Sequence, residues 1–138
     1  MVIFLDIDGV LNQLQRNYYL DNKCIENLGV LSKKLSATVV LTSSWRIGYT
    51  NFGKCTPQID KLKIQFSKYS IKISGRTANL GDRTLEISEY IKKHNVKRYI
   101  ILDDDKSEFT SGLLPNTYIV NSRTGLTKED VRKLVKMR

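Results

Sequence analysis

The sequence predicts an α/β fold, a single Rossmann-like three-layer sandwich over residues 1–138 whose central sheet is mainly parallel. Short stretches rich in β-branched and aliphatic residues alternate along the chain with segments of helical periodicity. The 138 residues suffice for one core of ordinary size, and no Pro/Gly-rich linker divides them. Both observations favour one domain with helices on the two faces of a sheet.

The strands are predicted where the chain is locally apolar. Each stretch is four or five residues long, as expected for strands that are buried on both faces. The weakest pattern is that of IKIS. In chain order the predicted strands are VIFL (2–5), TVVL (38–41), IKIS (71–74), RYIIL (98–102) and TYIV (117–120).

The segments between the strands carry helical periodicity and helix-start signals. Asp21, Thr56 and Asp82 are residue types that commonly cap helix N-termini. Thr127 and Asp130 have the spacing of a capping box, although the last residue of that motif is usually Glu or Gln. The predicted helices cover residues 21–35, 56–69, 81–95 and 126–137, and the polar stretch 46–54 is predicted to be an irregular loop.

The charge balance indicates an anionic partner. There are 23 Lys and Arg residues against 14 Asp and Glu, a formal net charge of +9, and such a surface attracts polyanions. No apolar stretch approaches the roughly 18 residues of a membrane span. We do not expect a secretory signal in the first residues, because Asp6 interrupts the apolar run that such a signal needs. With Cys24 and Cys55 as the only cysteines, we expect two reduced thiols and a cytoplasmic protein.

Acidic and hydroxyl residues follow three of the predicted strands. Asp6 and Asp8 follow the first, Thr42 and Ser43 the second, and residues 103–105, all Asp, follow RYIIL. The carboxyl ends of parallel strands meet at one edge of a sheet, where ligands bind. Carboxylates about 4 Å apart repel by about 1 kcal/mol in water and about 4 kcal/mol at an effective dielectric of 20, so we expect a cation among them.

The expected cation is Mg²⁺. Hard oxygen ligands in small number suit Mg²⁺ better than zinc, and the chain has no His/Cys cluster. A calcium loop beginning at Asp6 is excluded because the acidic residue required late in such a loop is missing from residues 11–18.

Three motifs resemble those of the haloacid dehalogenase (HAD) superfamily of phosphotransferases. FLDIDGVLN is similar to the first motif of the family, VVLTSSWR to the second and YIILDDD to the fourth, in the family's order. In addition, SSWR, GRTANLGDRTLEISEYI and GLTKEDV are similar to small HAD domains associated with RNA end-repair enzymes. The resemblance implies a Mg²⁺-dependent phosphatase.

The resemblance also implies roles for the residues at the strand ends. Asp6 is the expected nucleophile, which becomes an aspartyl phosphate, and Asp8 the expected general acid and base. An Asp at position 8 favours a phosphatase over a dehalogenase or a transport ATPase. Thr42 is the expected phosphate-binding hydroxyl, with Ser43 as the alternative.

The metal ligands and the family's third-motif cation are implied in the same way. Asp103, the Asp6 carboxylate and the main-chain carbonyl of Asp8 are the expected Mg²⁺ ligands, with Asp104 as a further ligand or water anchor. Asp105 is expected to be a loop or cap acid. Arg83 stands where the family usually has Lys, and the competing candidates are Arg76 and Lys72. Two alternatives stay open for each of two further residues. Arg46 could contact the substrate or be a surface arginine, and Trp45 could pack at the rim of the site or stack against a base.

No segment is long enough for a cap domain over the site, which favours a large substrate. The predicted function is hydrolysis of the end phosphate of a nucleotide or polynucleotide, in RNA or DNA. One alternative is a small-metabolite phosphatase, whose site could be closed by oligomerisation, and the oligomeric state stays open. The alternative from another class is a non-hydrolytic phosphoacceptor or binding module, disfavoured because Asp6 and Asp8 share the first strand.

Overall fold

The computed structural model describes residues 1–15, 19–109 and 112–137. Over these residues the chain alternates strands and helices as predicted. The strands are β1 (Val2–Leu5), β2 (Thr38–Leu41), β3 (Ile73–Arg76), β4 (Tyr99–Asp103) and β5 (Thr117–Ile119). The α-helices are α1 (Asn22–Leu35), α2 (Pro57–Ser67), α3 (Arg83–Lys93) and α4 (Lys128–Lys136), and 3₁₀ turns lie at Ser44–Gly48, Lys106–Glu108 and Leu114–Asn116.

All five strands are parallel and lie in the order β3-β2-β1-β4-β5. The central strand β1 pairs with β2 and β4 in a register that aligns Leu5 with both Leu41 and Leu102. The three strands therefore end level with one another, and the residues that follow them meet at one edge of the sheet.

Helices cover both faces of the sheet, which confirms the three-layer α/β fold. Alternate strand residues point to opposite faces. Ile3 and Leu5 lie in a core shared with α1, α2 and α4, whereas Phe4 packs with Ile87 and Tyr90 of α3. Among the described residues, the connections between strands contain these helices and short turns but no separate cap domain.

The weak fifth strand is displaced from its predicted position. The prediction covered residues 71–74, whereas β3 runs over Ile73–Arg76. The Ile71 N–H donates to the carbonyl of Phe66 at 3.0 Å, and Ser70 has a positive φ of 58°. Residue 71 therefore closes the end of α2, so the ladder of β3 begins two residues later.

The predicted helix starts are confirmed at all four α-helices. Asp21, Thr56 and Asp82 each accept a hydrogen bond from a backbone N–H of the first turn. At α4 both bonds of the capping box form: Thr127 Oγ1 accepts from Asp130 N at 3.1 Å, and Asp130 Oδ2 accepts from Thr127 N at 2.8 Å. A shorter Asp thus replaces the usual Glu or Gln.

Two further observations concern the cysteines and the lengths of the helices. Cys24 and Cys55 are free and buried, as expected of reduced thiols. Over the described residues, no helix combines the length and the apolar character needed to cross a bilayer.

The capping box at α4 gives a stability prediction. Thr127→Ala removes the hydroxyl that accepts from Asp130 N and should lower the free energy of unfolding by about 1 kcal/mol. Urea unfolding measures this change. Lys133→Ala, an exposed change on the same helix, is the control and should stay within about 0.5 kcal/mol of the unchanged protein. Equal effects of the two changes would show that the box contributes nothing.

Candidate active site

Three carboxylates meet where β1 and β4 end. Asp6 directly follows β1 and donates its backbone N–H to the carbonyl of Leu102, which extends the ladder by one residue. Asp103 is the last residue of β4, and Asp104 follows it. One carboxylate oxygen from each of the three Asp residues lies within 4.8 Å of the others. Asp6 is 7% exposed and Asp103 only 1%, so most of this charge is removed from water.

Arg83 brings one positive charge to the cluster from the first turn of α3. Its Nη1 lies 2.6 Å from Asp103 Oδ2 and 3.7 Å from Asp6 Oδ1. Of the competing cations, Arg76 is exposed and donates to the carbonyl of Thr77, and Lys72 is exposed before β3. The geometry favours Arg83 for the third-motif position, although its catalytic role stays a prediction.

Burial and mutual repulsion raise the pKa values of the cluster. Burial first and the charge of Asp103 second raise the pKa of Asp6 to about 9, and Arg83 offsets only part of this rise. The Asp104 side chain also shares a hydrogen bond with Asp6 that favours the protonated form. Burial raises the pKa of Asp103 to about 6 against the opposing effect of Arg83. The positive charge of Arg83 therefore offsets only part of the negative charge of the three carboxylates.

Gly9 makes room for the cluster. Its φ is +85°, a backbone conformation that L side chains rarely adopt. A Cβ at position 9 would collide with the carboxylate of Asp104. The glycine in the first motif therefore permits both the turn after β1 and the close approach of the acidic residues that follow β4.

Asp8 is oriented by two neutral donors outside the cluster. Asn12 Nδ2 donates to its Oδ1 at 3.0 Å, and the indole Nε1 of Trp45 donates to its Oδ2 at 3.3 Å. Asn12 Oδ1 in turn accepts from the Gly9 N–H at 2.8 Å. We did not predict Asn12; its one sequence signal is a polar residue that follows the apolar pair 10–11. Trp45 is half-buried at the rim and touches the predicted general acid.

The structure separates the two hydroxyl candidates. Thr42 Oγ1 is completely buried and has no hydrogen-bond partner among the described residues. Buried polar atoms are almost always paired, so an unpaired one is typical of a site that receives a ligand. Ser43 Oγ instead accepts from the Trp45 N–H at 3.1 Å and caps the 3₁₀ turn. This geometry favours Thr42 as the phosphate-binding hydroxyl.

Arg46 is oriented toward protein groups. It is 6% exposed, and its Nη1 donates to the carbonyls of Thr42 and Ser43 at 3.2 and 3.0 Å. Its Nη2 donates to Glu86 Oε2 at 2.9 Å and to Asn79 Oδ1 at 3.2 Å. Of the two alternatives for Arg46, a surface arginine is excluded by this burial, because the residues after β2 fold back onto α3. Substrate contact by Arg46 stays a prediction, and the observed bonds favour a positioning role.

Glu86 is a site-supporting residue that we did not predict. It lies one turn after Arg83 on α3, is 3% exposed, and also accepts from the Leu80 N–H at 2.9 Å. Through Arg46 it connects the carbonyls of Thr42 and Ser43 to the helix that carries Arg83. Such a buried pair, once formed, is costly to break on one side. The Arg46–Glu86 pair therefore fixes the end of β2, which carries Thr42, relative to α3, which carries Arg83.

Asp105 lies outside the cluster, as predicted for a cap acid. Its Oδ1 accepts from the Ser107 N–H at 3.0 Å and caps the 3₁₀ turn Lys106–Glu108. Its own N–H donates to Asp103 Oδ1 at 3.0 Å. Of the three consecutive acids, only Asp103 and Asp104 face Asp6.

The model of one protein family matches residues 2–131 of the 138. The description of that family is "HAD domain in Swiss Army Knife RNA repair proteins". The chain belongs to this HAD family. The match covers all five strands and the residues of the site described above. Comparisons with curated proteins and with solved structures found no match.

The acidic cluster is compatible with Mg²⁺, which HAD domains generally use. The donors are all carboxylate oxygens, the ligand type that Mg²⁺ prefers. Burial raises the pKa values of Asp6 and Asp103, the neighbouring carboxylates raise them further, and Arg83 offsets only part of the effect. A divalent cation bound by these residues would favour their ionised forms.

The raised pKa of Asp6 predicts how the stability of the metal-free protein changes with pH. The native state keeps the Asp6 proton up to about pH 9, whereas the unfolded chain releases it near pH 4. The native state therefore binds more protons between these values, and stability falls as the pH rises, by at most about 1.4 kcal/mol per unit from this group. Asp6→Asn cannot titrate and should lack this component.

Urea unfolding in EDTA between pH 5 and pH 8 measures this component. The stability difference between Asp6→Asn and the unchanged protein should grow in favour of the variant with rising pH. Asp105→Asn is the matched control, because Asp105 is fully exposed and its pKa is lowered by Ser107. Parallel pH profiles for the unchanged protein and Asp6→Asn would contradict the burial of a protonated Asp6.

Proposed function

We propose that the protein is a Mg²⁺-dependent phosphomonoester hydrolase that works through an aspartyl-phosphate intermediate. The observation that carries this proposal is that two buried carboxylates, one arginine and one buried hydroxyl, unpaired among the described residues, lie at a single edge of the sheet. Nucleophile, charge compensation and phosphate recognition are the three requirements of phosphoryl transfer. Membership of the HAD family supports the same reaction class.

In the first step, a carboxylate oxygen of Asp6 attacks the phosphorus atom, and the bond from phosphorus to the ester oxygen breaks. Asp8 gives its proton to the departing oxygen, which leaves as an alcohol. Asp8 is suited to this because its carboxyl group is oriented by Asn12 and Trp45 and lies apart from the three-carboxylate cluster. The Thr42 hydroxyl donates to a phosphoryl oxygen, and Arg83 neutralises charge between nucleophile and phosphate.

In the second step, water attacks the phosphorus atom of the aspartyl phosphate. Asp8, now a carboxylate, takes a proton from that water, and the acyl phosphate bond breaks to give inorganic phosphate and free Asp6. Two carboxyl groups thus perform different tasks. The buried Asp6 forms the covalent bond, and the half-buried Asp8 transfers protons in both directions.

Mg²⁺ would be held by Asp6, Asp103 and the main-chain carbonyl of Asp8, with Asp104 as a further ligand or water anchor. When bound, the ion would offset the negative charges of the carboxylates and of the substrate phosphate, which lie close together at the site. Arg83 reaches Asp103 and Asp6 and completes this compensation.

The favoured substrate is the end phosphate of a nucleotide or polynucleotide. The net charge of +9 favours a polyanion, and the described connections between strands contain no cap that would enclose a small molecule. The family description refers to RNA repair proteins. A panel of oligonucleotide and metabolite phosphates tests the substrate class, and preference for free sugar phosphates would favour the small-metabolite alternative.

We further infer that residues 1–138 act as one domain in the cytoplasm, consistent with two free buried cysteines.

Two substitutions test the proposed roles of the paired aspartates. Asp6→Asn should lower Mg²⁺-dependent phosphatase turnover by more than about 1,000-fold, because the nucleophile is lost. Asp8→Asn should allow some phosphoenzyme to form and then accumulate, because the water is no longer deprotonated. Steady-state turnover and acid-quenched phosphoprotein measure the two effects. The control, Asp105→Asn, should keep turnover within about twofold.

Two outcomes would contradict the mechanism. Full Mg²⁺-dependent activity of Asp6→Asn would show that Asp6 is not the nucleophile. A long-lived phosphoprotein without turnover in the unchanged protein would instead support the phosphoacceptor alternative.

A further inference from the structure

A groove of about 420 Å³ lies between α2, the residues 19–22 at the start of α1, and Trp45 of the 3₁₀ turn Ser44–Gly48. Its volume lies within the range of roughly 300–1,000 Å³ that is typical of small-molecule sites. We call it the α2 groove. The lining residues that matter here are Tyr19, Trp45, Gln58, Lys61, Ile64 and Gln65.

Trp45 connects the α2 groove to the proposed chemistry. Its indole Nε1 donates to Asp8 Oδ2 at 3.3 Å, and the same side chain lines the groove. Asp8 is the proposed acid for the ester oxygen that leaves. One indole therefore separates the groove from the position of the leaving group, so a substrate that extends beyond its phosphate can reach the groove.

The lining of the α2 groove combines aromatic, amide and basic groups. Tyr19 is 76% exposed and Ile64 is 57% exposed, which is unusual for side chains of this size. Gln58 and Gln65 add amide donors and acceptors, Lys61 adds a positive charge, and none of the lining residues is acidic. Aromatic faces with amides suit a planar ring that carries donors and acceptors, and a nearby lysine suits the phosphates attached to it.

We propose that the α2 groove binds the terminal nucleobase of a single strand, next to the end phosphate that Asp6 attacks. The base stacks on Trp45 and Tyr19, and the groove amides contact its edge. This inference rests on the proposed phosphatase function and adds the recognition of the leaving group to it. Selectivity for a strand end then depends on an unpaired terminal base, because a base within a duplex is stacked and paired already.

The binding test uses Trp45 as its own reporter, since it is the only tryptophan of the chain. The probes are short unphosphorylated strands of abasic nucleotides that carry one base, at the 5′ or at the 3′ end, together with a fully abasic strand. The base-carrying strand of the preferred end should quench the Trp45 fluorescence and bind about tenfold more tightly than the fully abasic strand. Tyr19→Ala should remove most of that difference.

Phe52→Ala is the matched control, because Phe52 is a 95% exposed aromatic residue outside the groove. It should leave the difference in affinity unchanged. Equal quenching and affinity for base-carrying and abasic strands, or equal effects of the Tyr19 and Phe52 changes, would overturn the proposal.

An activity measurement separates this proposal from the function on which it rests. With the corresponding end-phosphorylated strands, Tyr19→Ala should raise KM about tenfold for the base-carrying strand, with kcat and the abasic strand unaffected. Base-dependent quenching without any hydrolysis would contradict the phosphatase function alone. Hydrolysis of both strands with the same KM, together with equal quenching, would contradict the nucleobase site alone.

Discussion

The crowding of three carboxylates where β1 and β4 end is the constraint on which the rest of the site depends. Asp6 and Asp103 are buried, and one arginine offsets only part of their charge. Water cannot screen them there, so their repulsion stays strong. The surrounding structure accommodates this cost locally, through a glycine that makes room for Asp104 and a helix start that delivers Arg83. A structural role alone would not require such an arrangement, whereas binding of a cation and a phosphate would.

The fold positions these groups through strand register. Because Leu5, Leu41 and Leu102 are level, the residues after β1, β2 and β4 meet without long loops. The buried pair of Arg46 and Glu86 then fixes the exit of β2 to α3. Asp6, Thr42 and Arg83 thus come from three different elements, and these elements are held together by backbone ladders and one buried ion pair. Rigid support of this kind is what preorganised electrostatic stabilisation requires.

Much of the fold and of the acidic cluster could be predicted from the sequence. Strands β1, β2 and β4 are mainly apolar runs that are easy to recognise in the sequence. Because the three strands are parallel and aligned, the residues at their ends, Asp6, Thr42 and Asp103, lie at the same edge of the sheet. The remaining features depend on contacts between distant residues. Burial of Arg46 requires Glu86, 40 residues away, and orientation of Asp8 requires Trp45, 37 residues away. Local patterns do not show such pairs. They also do not show that the Ser43 hydroxyl caps a 3₁₀ turn while the Thr42 hydroxyl has no partner in the part of the chain that the structure describes.

The most direct test of the central claim is the count of protons released when Mg²⁺ binds. Calorimetric titrations at pH 7.5 in two buffers with different ionisation heats give this number. Asp6 is protonated at that pH without a metal, since its pKa is about 9, and binding of the ion requires the carboxylate. We predict release of about one proton per Mg²⁺, absent in Asp6→Asn. Binding without proton release, or no binding, would contradict the view that a divalent cation compensates these buried carboxylates.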